Sequence, residues 1–134
     1  MKICVLGSSS ITDKDLVYKT LDRFIIEHSL TSPIFLVGGA KGVDELTKTY
    51  AKENNNVVIE FLPYHLLDNR SIFTSKYFFI RNKQMIDNAD YVIAFWDLTN
   101  KGTEYGIKLA QKKNLPYFIV KRVKKRVKSS VSYL

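Results

Sequence analysis

The stretch Ile34-Phe35-Leu36-Val37-Gly38-Gly39-Ala40-Lys41-Gly42-Val43-Asp44 decides the fold, because an apolar run ends in a glycine-rich turn. The run 34–37 has the length and composition of a buried strand. Three glycines in the next five positions predict a tight turn. Apolar residues then recur at helical spacing, namely Val43, Leu46, Tyr50 and Ala51. A strand, a turn and a helix in this order form the repeating unit of parallel sheets.

The same alternation continues on both sides of this unit. Strands are predicted over residues 2–6, 34–37, 57–62, 91–96 and 117–120, with helices in the intervals. Residues 63–75 predict a loop. The pattern therefore predicts an α/β fold, a Rossmann-like three-layer sandwich with a central parallel sheet of about five strands flanked by helices.

The helix boundaries follow from capping residues and from apolar spacing. Thr12 is expected to cap the first helix, with Asp15 as its capping-box partner. The second helix begins near Val43, the third extends from a Ser75 cap through Asp87, and the fourth covers about 103–113. For the third helix we expect Ile80, Lys83 and Asp87 on one side, and Phe79, Met85 and Ile86 on others.

Composition limits the class of protein. The 134 residues, 46% of them apolar and 25% charged, suit one globular domain. No apolar run is long enough to span a membrane and the first strand is no signal peptide, so we expect a cytoplasmic protein. Cys4 is the only cysteine and is expected in the core. With only His28 and His65 as histidines, we predict no metal site and no cofactor.

The net charge of +8 is concentrated near the end of the chain. Residues 121–128 carry six positive charges and no negative ones. We therefore divide the chain into a Rossmann-like domain, 1–121, and a basic tail, 122–134. A charged tail of this kind predicts at most weak, salt-dependent contact with nucleic acid.

A parallel sheet that winds in two directions binds its ligand at the carboxyl ends of the central strands. The turns after the first, second and fourth strands are therefore the candidate site. The first turn contains Gly7, Ser8, Ser9 and Ser10, whose backbone N–H groups and hydroxyls either hold a phosphate or cap the next helix.

The second turn is richer in glycine. Its composition predicts a backbone able to surround an anion at the positive end of the next helix. The residues of the turn are Gly38, Gly39, Ala40, Lys41 and Gly42. No Lys-Ser or Lys-Thr follows the last glycine, so the turn is not the loop of a nucleoside triphosphatase.

Two further groups of residues are candidates for ligand contacts. Arg81, Asn82 and Met85 lie on the third predicted helix, where an arginine suits phosphate. After the fourth strand, Trp96 suits stacking on a base and Asp97 suits hydrogen bonds from ribose hydroxyls. The helix that follows could hold a phosphate at its start, which contains Lys101, Gly102 and Thr103. Glu104 follows, and an acidic first-turn residue also simply favours the helix dipole.

Taken in order, the motifs are Gly7-Ser8, Gly38-Gly39-Ala40-x-Gly42-x-Asp44, Arg81-Asn82-Lys83-x-Met85, Ala89-Asp90, Phe95-Trp96-Asp97 and Gly102-Thr103. This set resembles the YspA-like (cpYpsA-related) branch of the SLOG superfamily from residue 2 to about residue 120. The resemblance implies a Rossmann-like fold that binds nucleotides or nucleotide-derived ligands, and some relatives sense signals made by immune enzymes. Relatives commonly show Gly-Ser-Arg where this chain has Gly7-Ser8-Ser9, so a charged phosphate partner is missing.

The chain is more distantly similar to two enzyme families. LONELY GUY phosphoribohydrolases use an Arg in Arg-Lys-x-x-Met, which Arg81 and Met85 match in part, and a Glu after a Gly-Thr pair. Nucleoside deoxyribosyltransferases use a Glu in Gly-Thr-x-x-Glu. Here Glu104 follows Thr103 directly, two positions early for the transferase motif, which rotates its side chain by roughly 200° on a helix.

Three functions remain open from sequence. The first is binding of a nucleoside monophosphate, a dinucleotide or a cyclic ADP-ribose-like signal, as a sensor or sequestering module. The second is N-glycosidic hydrolysis or transfer, with Glu104 or Asp97 catalytic and Arg81 holding phosphate. The third is DNA binding. The apolar run 77–80 exceeds what one helix face can bury, so we also expect a homodimer.

Overall fold

The computed structural model describes residues 1–62 and 75–122, with side chains throughout except those of Ser75 and Lys76. Five strands and four helices alternate along these ranges. They are β1 (Lys2–Gly7), α1 (Lys14–Glu27), β2 (Ile34–Val37), α2 (Val43–Glu53), β3 (Val57–Glu60), α3 (Ser75–Asp87), β4 (Tyr91–Trp96), α4 (Lys101–Lys112) and β5 (Tyr117–Lys121). The predicted α/β, Rossmann-like fold is confirmed. The loop predicted before α3 and the basic tail fall on residues 63–74 and 123–134, outside the described residues.

The five strands form one parallel sheet in the order β3-β2-β1-β4-β5. β1 lies in the centre, with Ile3 paired to Phe35 of β2 on one side and to Tyr91 of β4 on the other. Chain winding reverses at β1, as the sequence predicted. The carboxyl ends of β1, β2 and β4 therefore border one crevice, where ligands bind in sheets of this kind.

The sheet separates two apolar cores because successive side chains of a strand point to opposite faces. Ile3 and Val5 belong to one core, which packs against α1 and α2. Cys4 and Leu6 belong to the other, which contains Met85 and Ile86 of α3 and Ile107 of α4. Cys4 is fully buried, in agreement with its predicted place in the core.

Two helices begin at residues other than those predicted. Asp13, not Thr12, caps α1, because its carboxylate accepts a hydrogen bond from the Leu16 backbone N–H at 3.1 Å. In α4 the cap is Asn100, whose side-chain oxygen accepts from the Thr103 N–H at 2.8 Å, so the helix begins at Lys101. Both corrections have the same cause, since a carboxylate or amide oxygen is as strong an N-cap as a hydroxyl or stronger.

The buried face of α3 contains polar as well as apolar residues. Lys83 and Asp87 are exposed and form an ion pair at 2.8 Å. The buried residues of this helix are Arg81, Asn82, Met85 and Ile86. Two polar side chains thus occupy core positions, which hydrophobic spacing cannot predict. No helix in the described ranges has the length and apolarity that crossing a membrane requires.

Gly7 is required where β1 ends, because α2 begins directly against it. A Cβ at position 7 would lie 2.3 Å from the Val43 Cβ. We predict that Gly7→Ala lowers the free energy of unfolding by about 1–3 kcal/mol, the usual effect of overpacking. Gly102→Ala is the matched control, since a Cβ there approaches nothing closer than 3.4 Å and Ala favours the helix. Urea unfolding of both variants measures the difference, and equal stabilities would contradict this account of Gly7.

Candidate functional site

A cavity of about 370 Å³ opens at the carboxyl edge of the sheet. Its walls come from the end of β1, the turns after β1 and β2, the start of α2, one side of α3 and the start of α4. Its lining residues are Leu6, Gly7, Ser9, Ala40, Asp44, Phe78, Phe79, Arg81, Asn82, Met85, Asn100, Lys101, Gly102 and Thr103. The cavity thus lies at the predicted switch point of the sheet.

The structure brings together ten of the residues proposed from sequence. Those that line the cavity are Gly7, Ser9, Ala40, Asp44, Arg81, Asn82, Met85, Lys101, Gly102 and Thr103. The remaining candidates are not among its lining residues: Ser8, Ser10, Gly38, Gly39, Lys41, Gly42, Trp96, Asp97 and Glu104. The second group shapes the turns around the cavity instead.

Asp44 is the acidic residue of the cavity. It is 5% exposed, and its Oδ2 accepts a hydrogen bond from the Ala40 backbone N–H at 3.1 Å. Its other oxygen, Oδ1, is buried with no hydrogen-bond partner among the described residues. Burial raises the pKa of Asp44 to about 6, against the opposing influence of the Ala40 and Gly38 backbone N–H groups and the positive charge of Arg81. A buried acceptor without a donor is rare in folded proteins.

Arg81 is buried and holds the walls of the cavity together. Its Nη1 donates to the Gly38 carbonyl at 2.5 Å and to the Phe61 carbonyl at 3.3 Å. Its Nε donates to Asn82 Oδ1 at 2.8 Å, and Asn82 in turn donates to the Gly102 carbonyl at 3.2 Å. This chain of bonds links the turn after β2 to α3 and to the start of α4. Burial lowers the pKa of Arg81.

The glycines of the second turn serve contacts within the protein. A Cβ on Gly38 would lie 2.3 Å from Arg81 Nη1, so this glycine makes room for the guanidinium. Gly42 has a φ of 76°, and a Cβ there would lie 2.6 Å from the Ser9 carbonyl oxygen. Gly42 also begins α2 without a side-chain cap. The turn thus brings the uncapped start of α2 against the turn after β1.

The start of α4 presents backbone N–H groups to the cavity. Asn100 Oδ1 accepts from the Thr103 N–H and, at 3.1 Å, from the Thr103 hydroxyl. Within the described part of the chain, the N–H groups of Lys101 and Gly102 have no hydrogen-bond acceptor. Unpaired N–H groups at a helix start attract anions, and the Lys101 ammonium adds a positive charge.

Asp97 and Trp96 form the loop after β4 rather than a wall of the cavity. The carboxylate of Asp97 accepts from the N–H groups of Thr99 and Asn100 at 2.9 and 2.8 Å and from the Ser10 hydroxyl at 2.9 Å. Partial burial alone would raise the pKa of Asp97, but these bonds outweigh it and lower the pKa to about 2. The Trp96 Nε1 donates to the Asn100 carbonyl at 3.1 Å. Asp97 is thus a saturated acceptor, poorly suited to general-base catalysis.

Glu104 lies on the outer side of α4. Its carboxylate approaches Lys101 at 3.9 Å and Lys108 at 3.6 Å. This position agrees with the rotation expected from the early placement of Glu104 in its motif. The geometry gives no support to a catalytic role for Glu104.

Sequence reasoning missed four residues of the site, namely Leu6, Phe78, Phe79 and Asn100. Phe78 lies under the Arg81 guanidinium, 5.4 Å from ring centre to Cζ, and Phe79 contacts the Tyr105 ring at 4.8 Å. Phe78 and Phe79 belong to the apolar run 77–80 from which a homodimer is expected, and the homodimer stays a prediction. The sequence prediction begins the fourth helix at about residue 103 and does not single out Asn100, although an Asn before a helix is a signal for an N-cap.

The pH dependence of stability tests the buried Asp44. Because its folded-state pKa exceeds the ordinary value of 3.8, ionisation of Asp44 destabilises the fold as pH rises from about 4 to about 6. We predict that Asp44→Asn is more stable than the wild type above pH 6, by on the order of 1–3 kcal/mol, and no more stable below pH 4. Glu45→Gln, an exposed change of the same charge on the same helix turn, should lack this dependence. Urea unfolding at several pH values would contradict the assignment if both variants behaved alike.

Comparison with known proteins adds a family and a set of folds. Residues 1–65 match the model of the family described as YspA, cpYpsA-related SLOG family. No curated protein sequence matches the chain.

Three solved structures share the fold. DNA processing protein A (DprA) from Streptococcus pneumoniae aligns with a TM-score of 0.70 and 17% identity, over 88% of this chain and 49% of that one. The chain thus spans about half the length of that protein. The second is DNA processing protein A from Helicobacter pylori, whose structure concerns its single-stranded DNA binding mode. It aligns with a TM-score of 0.66 and 22% identity, over 97% of this chain and 68% of that one. The third is TM1055, a structural-genomics target, which aligns with a TM-score of 0.60 and 21% identity, over 87% of this chain and 71% of that one.

At such identities these structures establish the fold, while the family rests on the sequence match. The resemblance drawn from the motifs is confirmed over residues 1–65, which match the YspA, cpYpsA-related SLOG family model.

Proposed function

We propose that this chain binds a nucleotide or a nucleotide-derived small molecule in the cavity at the carboxyl edge of the sheet. One observation carries the proposal: an anion-attracting helix start and an apolar, aromatic wall face the same cavity. A nucleotide has the matching parts, since its phosphate is anionic and its base is flat and largely apolar. The candidate ligands are a nucleoside monophosphate, a dinucleotide or a cyclic ADP-ribose-like signal, held by a sensor or a sequestering module.

The start of α4 is the proposed phosphate subsite. The Lys101 and Gly102 N–H groups lack acceptors in the described part of the chain, and the Lys101 side chain is 83% exposed at the cavity rim. The helix dipole strengthens the attraction, because the positive end of α4 faces the cavity. Lys101 takes the place of the arginine that relatives carry after Gly7-Ser8, as a cation at the rim of this proposed site.

The apolar wall is the proposed base subsite. Leu6, Phe78, Phe79 and Met85 line the side of the cavity formed by β1 and α3. A volume of about 370 Å³ lies within the range of small-molecule pockets. Aromatic rings beside a guanidinium favour stacking with a flat ligand.

Single-stranded DNA is the second candidate ligand. The observation that favours it is the fold shared with DNA processing protein A, whose Helicobacter pylori structure concerns single-stranded DNA binding. The net charge of +8 and the basic residues 121–128 also suit a polyanion. A nucleotide within a strand has the same chemistry as a free nucleotide, so one cavity suits both.

A pair of charge-reversed variants tests the phosphate subsite. Lys101 lines the cavity and Lys108 does not, although both lie on α4 and both approach Glu104. We predict that Lys101→Glu weakens nucleotide binding about fivefold or more, because it places a negative charge at the helix start. Lys108→Glu should bind as the wild type does. The measurement is equilibrium filtration against nucleoside monophosphates, NAD and cyclic ADP-ribose isomers, with chromatography of the retained fraction.

The same assay separates the two candidate ligands when an oligodeoxynucleotide is added to the panel. Retention of an intact small nucleotide that is sensitive to Lys101→Glu supports the first proposal. Retention of DNA alone, sensitive to Lys101→Glu, supports the second. DNA retention that is lost only when Lys124, Lys125 and Arg126 are changed to Gln would assign the binding to the tail. Release of a free base would replace both proposals with an N-glycosidic reaction.

A further inference from the structure

Asp44 carries an oxygen that the protein leaves unpaired at the wall of the cavity. Asp44 is only 5% exposed, and it lines the cavity. Its Oδ1 has no hydrogen-bond donor among the described residues, while Oδ2 is bonded to the Ala40 N–H. An unpaired buried carboxylate oxygen destabilises the free protein and favours any ligand that supplies a donor.

The charged and titratable groups around Asp44 do not supply this donor. Arg81 of α3 donates its hydrogen bonds to Gly38, Phe61 and Asn82 and acts on Asp44 through its charge. Glu60 of β3 is an acceptor and pairs with Lys48 at 3.3 Å. Cys4 of β1 is a buried thiol whose pKa is raised by burial and by Asp44. The Gly38 backbone N–H also lowers the pKa of Asp44, but it makes no hydrogen bond to Oδ1. No described residue donates to Oδ1, so this oxygen is available to a donor on a ligand.

We propose that Asp44 selects the ligand of this cavity by accepting, at Oδ1, a hydrogen bond from a neutral O–H or N–H group of that ligand. The inference rests on the proposed function and narrows it to ligands that carry both an anionic group and a donor. A fully ionised phosphate has no proton to donate and would repel the carboxylate, so it belongs at the start of α4. A ribose hydroxyl and a base amino group are the two sources of such a donor in a nucleotide.

The test compares AMP binding to the wild type, Asp44→Asn and Glu45→Gln between pH 5 and pH 7. At pH 7 we expect Asp44→Asn to bind about 10- to 100-fold more weakly than the wild type, because a charge-assisted bond is lost. Glu45→Gln removes the same charge from the same helix turn outside the cavity and should bind normally. Asn keeps an oxygen for the Ala40 N–H, and an unfolding curve for each variant verifies its fold.

The pH profile separates ligand contact from a merely structural role. With a pKa of about 6, Asp44 is mostly protonated at pH 5 and must release its proton to accept the ligand. The affinity ratio of wild type to Asp44→Asn should therefore shrink about tenfold from pH 7 to pH 5. Taking this ratio at each pH cancels the ionisation of the AMP phosphate itself.

Two analogues identify the donor on the unaltered protein. Weak binding of 2′,3′-dideoxy-AMP points to a ribose hydroxyl, and weak binding of IMP points to the base amino group. Equal binding of AMP, 2′,3′-dideoxy-AMP and IMP by the wild type overturns the proposal. An affinity ratio of wild type to Asp44→Asn that equals one at pH 7, or that grows towards pH 5, also overturns it. If the wild type retains no nucleotide of the panel, the proposed function itself fails, which is a different result from equal binding.

Discussion

The position of β1 between β2 and β4 is the constraint on which the rest of the structure depends. Both neighbours are parallel to β1, so the turns after all three strands emerge at one edge of the sheet. Each turn leads into a helix or towards one, which brings the starts of α2 and α4 to the same crevice. Gly7 permits this arrangement, because any larger residue at the end of β1 would displace Val43. The cavity is thus a consequence of topology before any side chain is considered.

The two buried charged residues of the cavity differ in how completely they are hydrogen-bonded. Arg81 is paired with carbonyl and amide oxygens of three other residues, so its burial is compensated and its role is to fix the walls. Asp44 is compensated at one oxygen only. A fully satisfied buried group specifies a structure, whereas a half-satisfied one is a strain that a ligand can relieve. Residues that strain a free protein in this way are concentrated at functional sites.

Much of this arrangement could be predicted from sequence, and the parts that could not share a physical cause. β2 and β4 have the predicted bounds, because apolar β-prone runs flanked by turn residues are local signals. The crevice also lies at the predicted place, beside the turns that follow the first, second and fourth strands. Arg81, in contrast, bonds to Gly38 across 43 positions, and no local pattern reveals such a contact. For the same reason, sequence spacing does not reveal that Arg81 and Asn82 are buried on α3.

The direction of a side chain is harder to predict from sequence than the position of the turn that contains it. Trp96 ends β4 and Asp97 follows it, both at the edge of the sheet where the cavity lies, yet Asp97 accepts hydrogen bonds from the backbone two and three residues ahead. Short acidic side chains commonly make such local bonds, and these compete with contacts to a ligand. Asp44 escapes this competition, because it lies within the first turn of α2 and reaches back to Ala40 with one oxygen only. The difference between two aspartates at the same edge of the sheet is therefore one of saturation: the Asp97 carboxylate is occupied by its own loop and by Ser10, and one oxygen of Asp44 remains available at a cavity wall.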